Sequence, residues 1–186
     1  MATLIRTTSV IALGAVVLFS VGAHAQQSGA VPGALTALDY FEIQQLNERY
    51  VHAIDNCIEN GYEYASLYSR DGVFIDLWSD AGVAQGGIRW QGPAKLMEVS
   101  GGGVNGCKGW QRRSDAISYM ITGLVITPSP EGATGKAYLI AVGVNGDPHA
   151  VEREGSYEDV YVKTATGWRF QERAHVRKRA MGDPRS

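Results

Sequence analysis

The chain has 186 residues, 45% of them hydrophobic, with 17 basic and 19 acidic side chains and a formal net charge of −2. That length suits one domain with a real core. Near-balanced charge, with no basic run and no basic–aromatic stripe, argues against a nucleic-acid partner.

Arg6 is the one charge before the apolar run Val10 to Phe19, which ends in Ala23-His24-Ala25. This order of a positive start, an apolar stretch and a small-x-small site is that of a secretory signal peptide over residues 1–25, cleaved after Ala25. The apolar run is shorter than the roughly 20 residues a membrane-spanning helix needs. The protein is therefore expected to be secreted or periplasmic, with no membrane attachment after cleavage. Cys57 and Cys107 both lie in the exported part, and an oxidising compartment favours a disulfide between them. No Cys-x-x-Cys is present.

Residues 26–35 read as a flexible leader containing Gly and Pro. Thr36 with Asp39 three residues later marks a helix start of the capping-box kind. Ile43, Leu46, Tyr50 and Ile54 recur at spacings of three and four, which predicts a helix from about 36 to 55 with one buried face. A shorter helix follows Gly61, with Tyr64, Leu67 and Tyr68 on one side. Arg70-Asp71-Gly72 reads as a turn, Val73 to Trp78 as a strand and Gly86 to Trp90 as another. Pro93 suits the first turn of a third helix over 93–99. The glycine-rich stretch Gly101 to Gly106 lacks the Lys-Ser/Thr of a phosphate-binding loop and is read as a plain loop. Four strands follow, near 115–127, 134–145, 151–163 and 168–177, divided by Pro/Gly/Asn turn signals. Residues 179–186 read as a flexible tail. The expected fold is α+β, a cone-shaped, curved antiparallel sheet wrapped around three N-terminal helices.

Asp76 stands mid-strand between Ile75 and Leu77, where a carboxylate is disfavoured. Strand alternation puts it on one face with Phe74 and Trp78. If that face lines a cavity, burial raises its pKa, as an acid or base needs. Tyr50 lies on the buried helix face, and Asp55 ends that helix. Trp78, Trp90 and Tyr119 read as core or pocket wall. Arg112-Arg113 reads as a solvated turn. His149 and Glu152 have roughly metal-ligand spacing but follow a turn rather than sit on a helix, so no metal is expected.

The helix Leu46-Asn47-Glu48-Arg49-Tyr50-Val51-His52-Ala53-Ile54-Asp55, the segment Leu67 to Asp76 and the hairpin Tyr161 to Phe170 resemble the nuclear-transport-factor-two-like superfamily and, within it, the SnoaL-like polyketide-cyclase branch. The resemblance spans about residues 36–178. It implies the roll just described, a homodimer formed through the exposed sheet face, and chemistry without a cofactor. Ketosteroid isomerases of this fold use a helix tyrosine as oxyanion donor and an aspartate as base, and these match Tyr50 and Asp76. Their second oxyanion acid falls near Ser156, which fills that role poorly. Scytalone dehydratase is similar too: its helix aspartate matches Asp55, while its strand histidine aligns with Tyr119. Lyases that release formaldehyde from lignin-derived aromatics share the fold. The resemblance thus implies acid–base lyase or isomerase chemistry on a small apolar molecule, aromatic or alicyclic. Asp76 or Asp55 would move the proton, Tyr50 would stabilise oxygen charge, and Trp78, Tyr119 and Trp90 would line the substrate. The same fold also supports a non-catalytic binding or assembly module.

Overall fold

The computed structural model describes residues 34–77, 86–107, 117–143 and 150–177. The expected signal peptide, nearly all of the leader, the tail and Trp78, Arg112, Arg113 and His149 lie outside the described residues, as does the side chain of Glu152.

Helix α1 runs Ala37–Asn56. The Thr36 hydroxyl accepts the Asp39 N–H at 3.2 Å, and the Asp39 carboxylate accepts the Thr36 N–H at 2.8 Å. This reciprocal cap satisfies two donors that a helix start leaves bare. Asp39 also accepts bonds from Lys163 Nζ at 2.6 Å and Trp168 Nε1 at 2.9 Å, so the cap is fastened to the C-terminal hairpin. The Lys163 ammonium, then the Thr36 donors, hold the Asp39 carboxyl well below its usual pKa. Thr36→Ala should cost about 1 kcal/mol, the usual value for a lost cap. Asp39→Ala should cost about 2–3 kcal/mol, because it also leaves the buried Trp168 N–H without its acceptor. A carboxylate depressed in the fold contributes fully above its unfolded pKa of about 4 and loses that contribution as pH falls below it. Urea denaturation of wild type and Asp39→Ala should therefore differ most at pH 7, with the gap narrowing steadily as pH falls from about 4 toward 2.

After α1 come a 3-10 turn at Ile58–Gly61, helix α2 (Tyr62–Ser66), strands β1 (Tyr68–Leu77) and β2 (Ile88–Gln91), and helix α3 (Pro93–Val99). A 3-10 turn at Gly103–Asn105 leads on to β3 (Ile117–Ser129), β4 (Gly132–Gly143), β5 (Ala150–Thr164) and β6 (Gly167–Arg177). The six strands form one sheet in the order β2-β1-β6-β5-β4-β3. The expected α+β roll is present, but the sheet is mixed rather than wholly antiparallel. β1 and β6 pair in parallel, while the other neighbours are antiparallel. Tight turns make antiparallel neighbours. β1 and β6 are separated by most of the fold, so no turn dictates their direction.

The expected turn at Arg70-Asp71-Gly72 is an irregularity inside β1, which already begins at Tyr68. Gly72 permits it: a Cβ there would lie 2.9 Å from the Phe170 carbonyl oxygen. The core sits between α1 and the concave sheet face, where Ile43, Leu46, Tyr50 and Ile54 meet Tyr157, Tyr161, Trp168 and Phe170. Small residues on β4 oppose large ones on β5: Ala133 faces Tyr161 and Ala137 faces Tyr157. A second, smaller cluster of Val73, Ile75 and Ala174 occupies the other face of the sheet.

Strand β6 carries the detail that shapes the interior. Trp168 and Phe170 are buried in the core against α1. Tyr161 then pairs with Phe170 and Val160 with Glu172, so Gln171 is an extra residue in the ladder. Such a bulge shifts the alternation of side chains by one. Arg173 and His175 consequently point into the interior, with relative exposures of 0% and 1%.

Candidate active site

Phe74 belongs to the core between sheet and helices, and Asp76, two residues along β1, shares its face. This places Asp76 on the interior side, as its position in the sequence suggests. It pairs in register with His175, and its Oδ1 lies 3.4 Å from His175 Nδ1. The imidazole is all but buried, and its Nε2 has no hydrogen-bond partner among the described residues. The Asp76 side chain keeps 19% exposure, so the pair runs from the protein interior toward accessible space.

The His175 ring packs on Tyr157, with centroids 5.5 Å apart. Tyr157 in turn bonds Tyr50 hydroxyl to hydroxyl at 3.0 Å, and their rings meet edge to face at 5.4 Å. Burial drives the Tyr50 hydroxyl up to about 12, with Arg173 and the bond to Tyr157 opposing it. Burial also holds the Tyr157 hydroxyl well above its usual value. Tyr50 and Asp76 are thus connected through Tyr157 and His175, neither of which was a candidate from the sequence. Tyr157 had a signal next door: the position expected for the second oxyanion donor, Ser156, is one residue from it, and strand alternation sends Tyr157 inward.

Asp55 forms a separate arm of the site. At the end of α1 its carboxylate accepts the Tyr119 backbone N–H at 3.2 and 3.3 Å, joining the helix to β3. Burial raises its pKa to about 6, against the Tyr119 hydrogen bond and the neighbouring His52. A carboxyl raised in the fold stabilises it most below the unfolded pKa, and that contribution is lost as pH climbs through the folded value. Asp55→Asn keeps an acceptor without the charge. It should match wild type in stability near pH 4 and exceed it by about 1 kcal/mol at pH 8, the figure being reduced for the half-exposure of the group. Thermal melts at the two pH values measure this difference.

Of the expected wall residues, Trp90 packs on Phe74 with centroids 5.8 Å apart, and Tyr119 is buried. Trp78 lies outside the described residues. Cys57 and Cys107 form the expected disulfide, with Cα atoms 6.1 Å apart. Among the described residues no three His, Cys, Asp or Glu side chains gather as metal ligands, and no helix is long and apolar enough to cross a membrane.

Three helices beside an open, curved six-stranded sheet, with polar groups on the concave face, define an α+β roll of the NTF2-like, cystatin-like type. The chain belongs to the SnoaL-like domain family, whose model matches residues 36–174. An NTF2-like protein with a cystatin-like fold from Novosphingobium aromaticivorans superposes with a TM-score of 0.62 at 16% identity, over 75% of this chain and 82% of that one. A protein of the same organism, provisionally assigned as an aromatic ring hydroxylase, gives 0.59 at 21% identity over 79% and 94%. A protein from Catenulispora acidiphila, solved in complex with S-DNPA, gives 0.55 at 23% identity over 75% and 95%. At these identities the likeness is one of fold. No curated protein sequence matches the chain.

Proposed function

We propose that this protein is an exported, cofactor-independent lyase or isomerase that moves a proton on a small, mostly apolar aromatic or alicyclic molecule. The observation that carries the reading is the Asp76–His175 pair beside the Tyr50–Tyr157 hydroxyls. A carboxylate facing Nδ1 favours the tautomer with its proton there, which leaves a lone pair on Nε2. Nε2 can then take or give a proton, while Asp76 orients the ring and stabilises the imidazolium. The phenol pair is suited to donate a hydrogen bond to oxygen charge that grows as the proton leaves carbon. The proton carrier is thus the imidazole, whose enclosed Nε2 is reached by a molecule that enters the interior past Asp76, rather than the lone carboxylate that the isomerase resemblance implies. The 3.4 Å separation is loose for a hydrogen bond, as catalytic contacts often are before substrate closes on them.

A neighbour of the same fold was solved in complex with S-DNPA, and by analogy the roll of this chain is read as taking a small ligand. The test is a screen of purified protein against aromatic and alicyclic carbonyl and alcohol compounds, first for binding and then for turnover. Hits should include compounds with an exchangeable proton beside an oxygen-bearing carbon. Tyr50→Phe should lower their turnover about 10- to 1000-fold, as loss of one oxyanion donor does. Compounds that bind tightly and are never converted would assign the protein to the non-catalytic binding modules of this fold.

A further inference from the structure

Arg173 is a fully buried cation. Its Nε and Nη2 each donate to Asp159 at 2.8 Å, and Nη2 also donates to Asn47 Oδ1. On the carboxylate side the Tyr161 hydroxyl donates to Asp159 Oδ2 at 2.7 Å and accepts from Asn47 Nδ2 at 3.0 Å. The guanidinium carbon lies 4.1 Å from the Tyr50 ring centroid, 4.2 Å from Tyr157 and 4.1 Å from Phe170. The ion pair is therefore oriented, with its negative end bonded to Tyr161 and its positive end against Tyr50 and Tyr157. A buried ion pair gives little stability that well-packed apolar residues could not, so its presence asks for another role.

We propose that Arg173 is a positioning residue of the candidate site: clamped by Asp159 and Asn47, it fixes the Tyr50–Tyr157 pair and sets a positive charge behind the hydroxyls that face developing oxygen charge. The inference rests on reading that pair as the oxygen-charge donor. Cation–π contact with both rings explains how they are held at an edge-to-face angle, and the charge strengthens an O–H donor by favouring its ionised form. The other titratable groups facing the pair are Tyr64 from α2, Tyr68 from β1, Tyr119 from β3, Asp159 and Tyr161 from β5, and His175 from β6 with Asp76 beside it. None of these others is a permanent cation. Burial holds Tyr161 high as well, but there the charge of Asp159 adds to the effect and outweighs the opposing charge of Arg173.

Fluorine NMR of protein labelled with trifluorotyrosine, assigned through Tyr50→Phe, Tyr157→Phe and Tyr161→Phe, tests this without any substrate. The phenol of that label titrates several pH units below that of tyrosine and so brings the buried hydroxyls into a range where the fold persists. In Arg173→Met/Asp159→Leu both charges are gone and the volume is filled. The proton affinity of Tyr50 and Tyr157 should rise about 10-fold or more, while that of Tyr161 falls. Asp159→Asn provides the check if the double variant does not fold: Tyr161 should lose proton affinity, and neither Tyr50 nor Tyr157 should gain any. Tyr50 and Tyr157 unmoved in a folded double variant, or all three tyrosines moving together, would overturn the inference. Opposite shifts with no turnover of any bound compound would leave Arg173 in this role and remove the proposed enzyme. Turnover that depends on His175, without those shifts, would do the reverse.

Discussion

His175→Gln should lower turnover by about 10²- to 10⁴-fold, the usual contribution of a general acid–base group, with the fold intact. Glutamine approximates the size of imidazole and can still donate toward Asp76, but it cannot shuttle a proton at neutral pH. Asp76→Asn should cost a similar factor, because an amide facing Nδ1 no longer fixes the tautomer with the lone pair on Nε2. KM should change little in either variant, since neither removes binding surface that is uniform between substrate and transition state. Circular dichroism and the melting temperature separate lost chemistry from lost folding. If His175→Gln retains full turnover while Asp55→Asn is inactive, the proton carrier sits at the end of α1, and the β1–β6 pair is structural.

The second large effect is on stability. The Cys57–Cys107 disulfide closes a loop of 50 residues in sequence, and chain entropy alone assigns such a closure about 4 kcal/mol. Cys57→Ala/Cys107→Ala should therefore lower the unfolding free energy by about that amount in urea titrations, and reduction of the wild type should reproduce most of the loss. The bond ties the residue just after α1 to the glycine-rich loop that follows α3. Asp55 is two residues before Cys57 and meets β3 through Tyr119. Removing the bond should consequently loosen the Asp55 arm first, seen as faster amide exchange at Tyr119 than at Tyr157. A loss below about 1 kcal/mol would mean that the loop stays ordered without the bond, contrary to the chain-entropy account.

The helical layer was legible because its signals are local. Thr36 and Asp39 announce the cap within four residues, and the spacing of Ile43, Leu46, Tyr50 and Ile54 reports which face is buried. Asp76 was legible for a similar reason: a carboxylate between two β-forming apolar residues conflicts with its surroundings, and such conflicts concentrate at sites. His175 was hidden by the bulge at Gln171. Strict alternation from Trp168 and Phe170 would send residues 173 and 175 outward, and only the pairing of Val160 with Glu172 shows that the phase has shifted. Arg173 was hidden the same way, whereas Asp159 alternates in phase with Tyr157 and Tyr161 on β5, so its inward position was legible and only its partner was not. The parallel contact between β1 and β6, which sets Asp76 opposite His175, joins segments about a hundred residues apart and leaves no local trace. Local chemistry thus marked one half of the candidate pair, and strand register supplied the other.

The most direct measurement of the central claim is a double-mutant cycle on kcat/KM for Asp76→Asn, His175→Gln and the two together, with a substrate from the screen. A carboxylate that acts through the imidazole predicts that the double variant is no slower than His175→Gln alone. Losses that multiply would mean that Asp76 and His175 act independently, and would contradict the account.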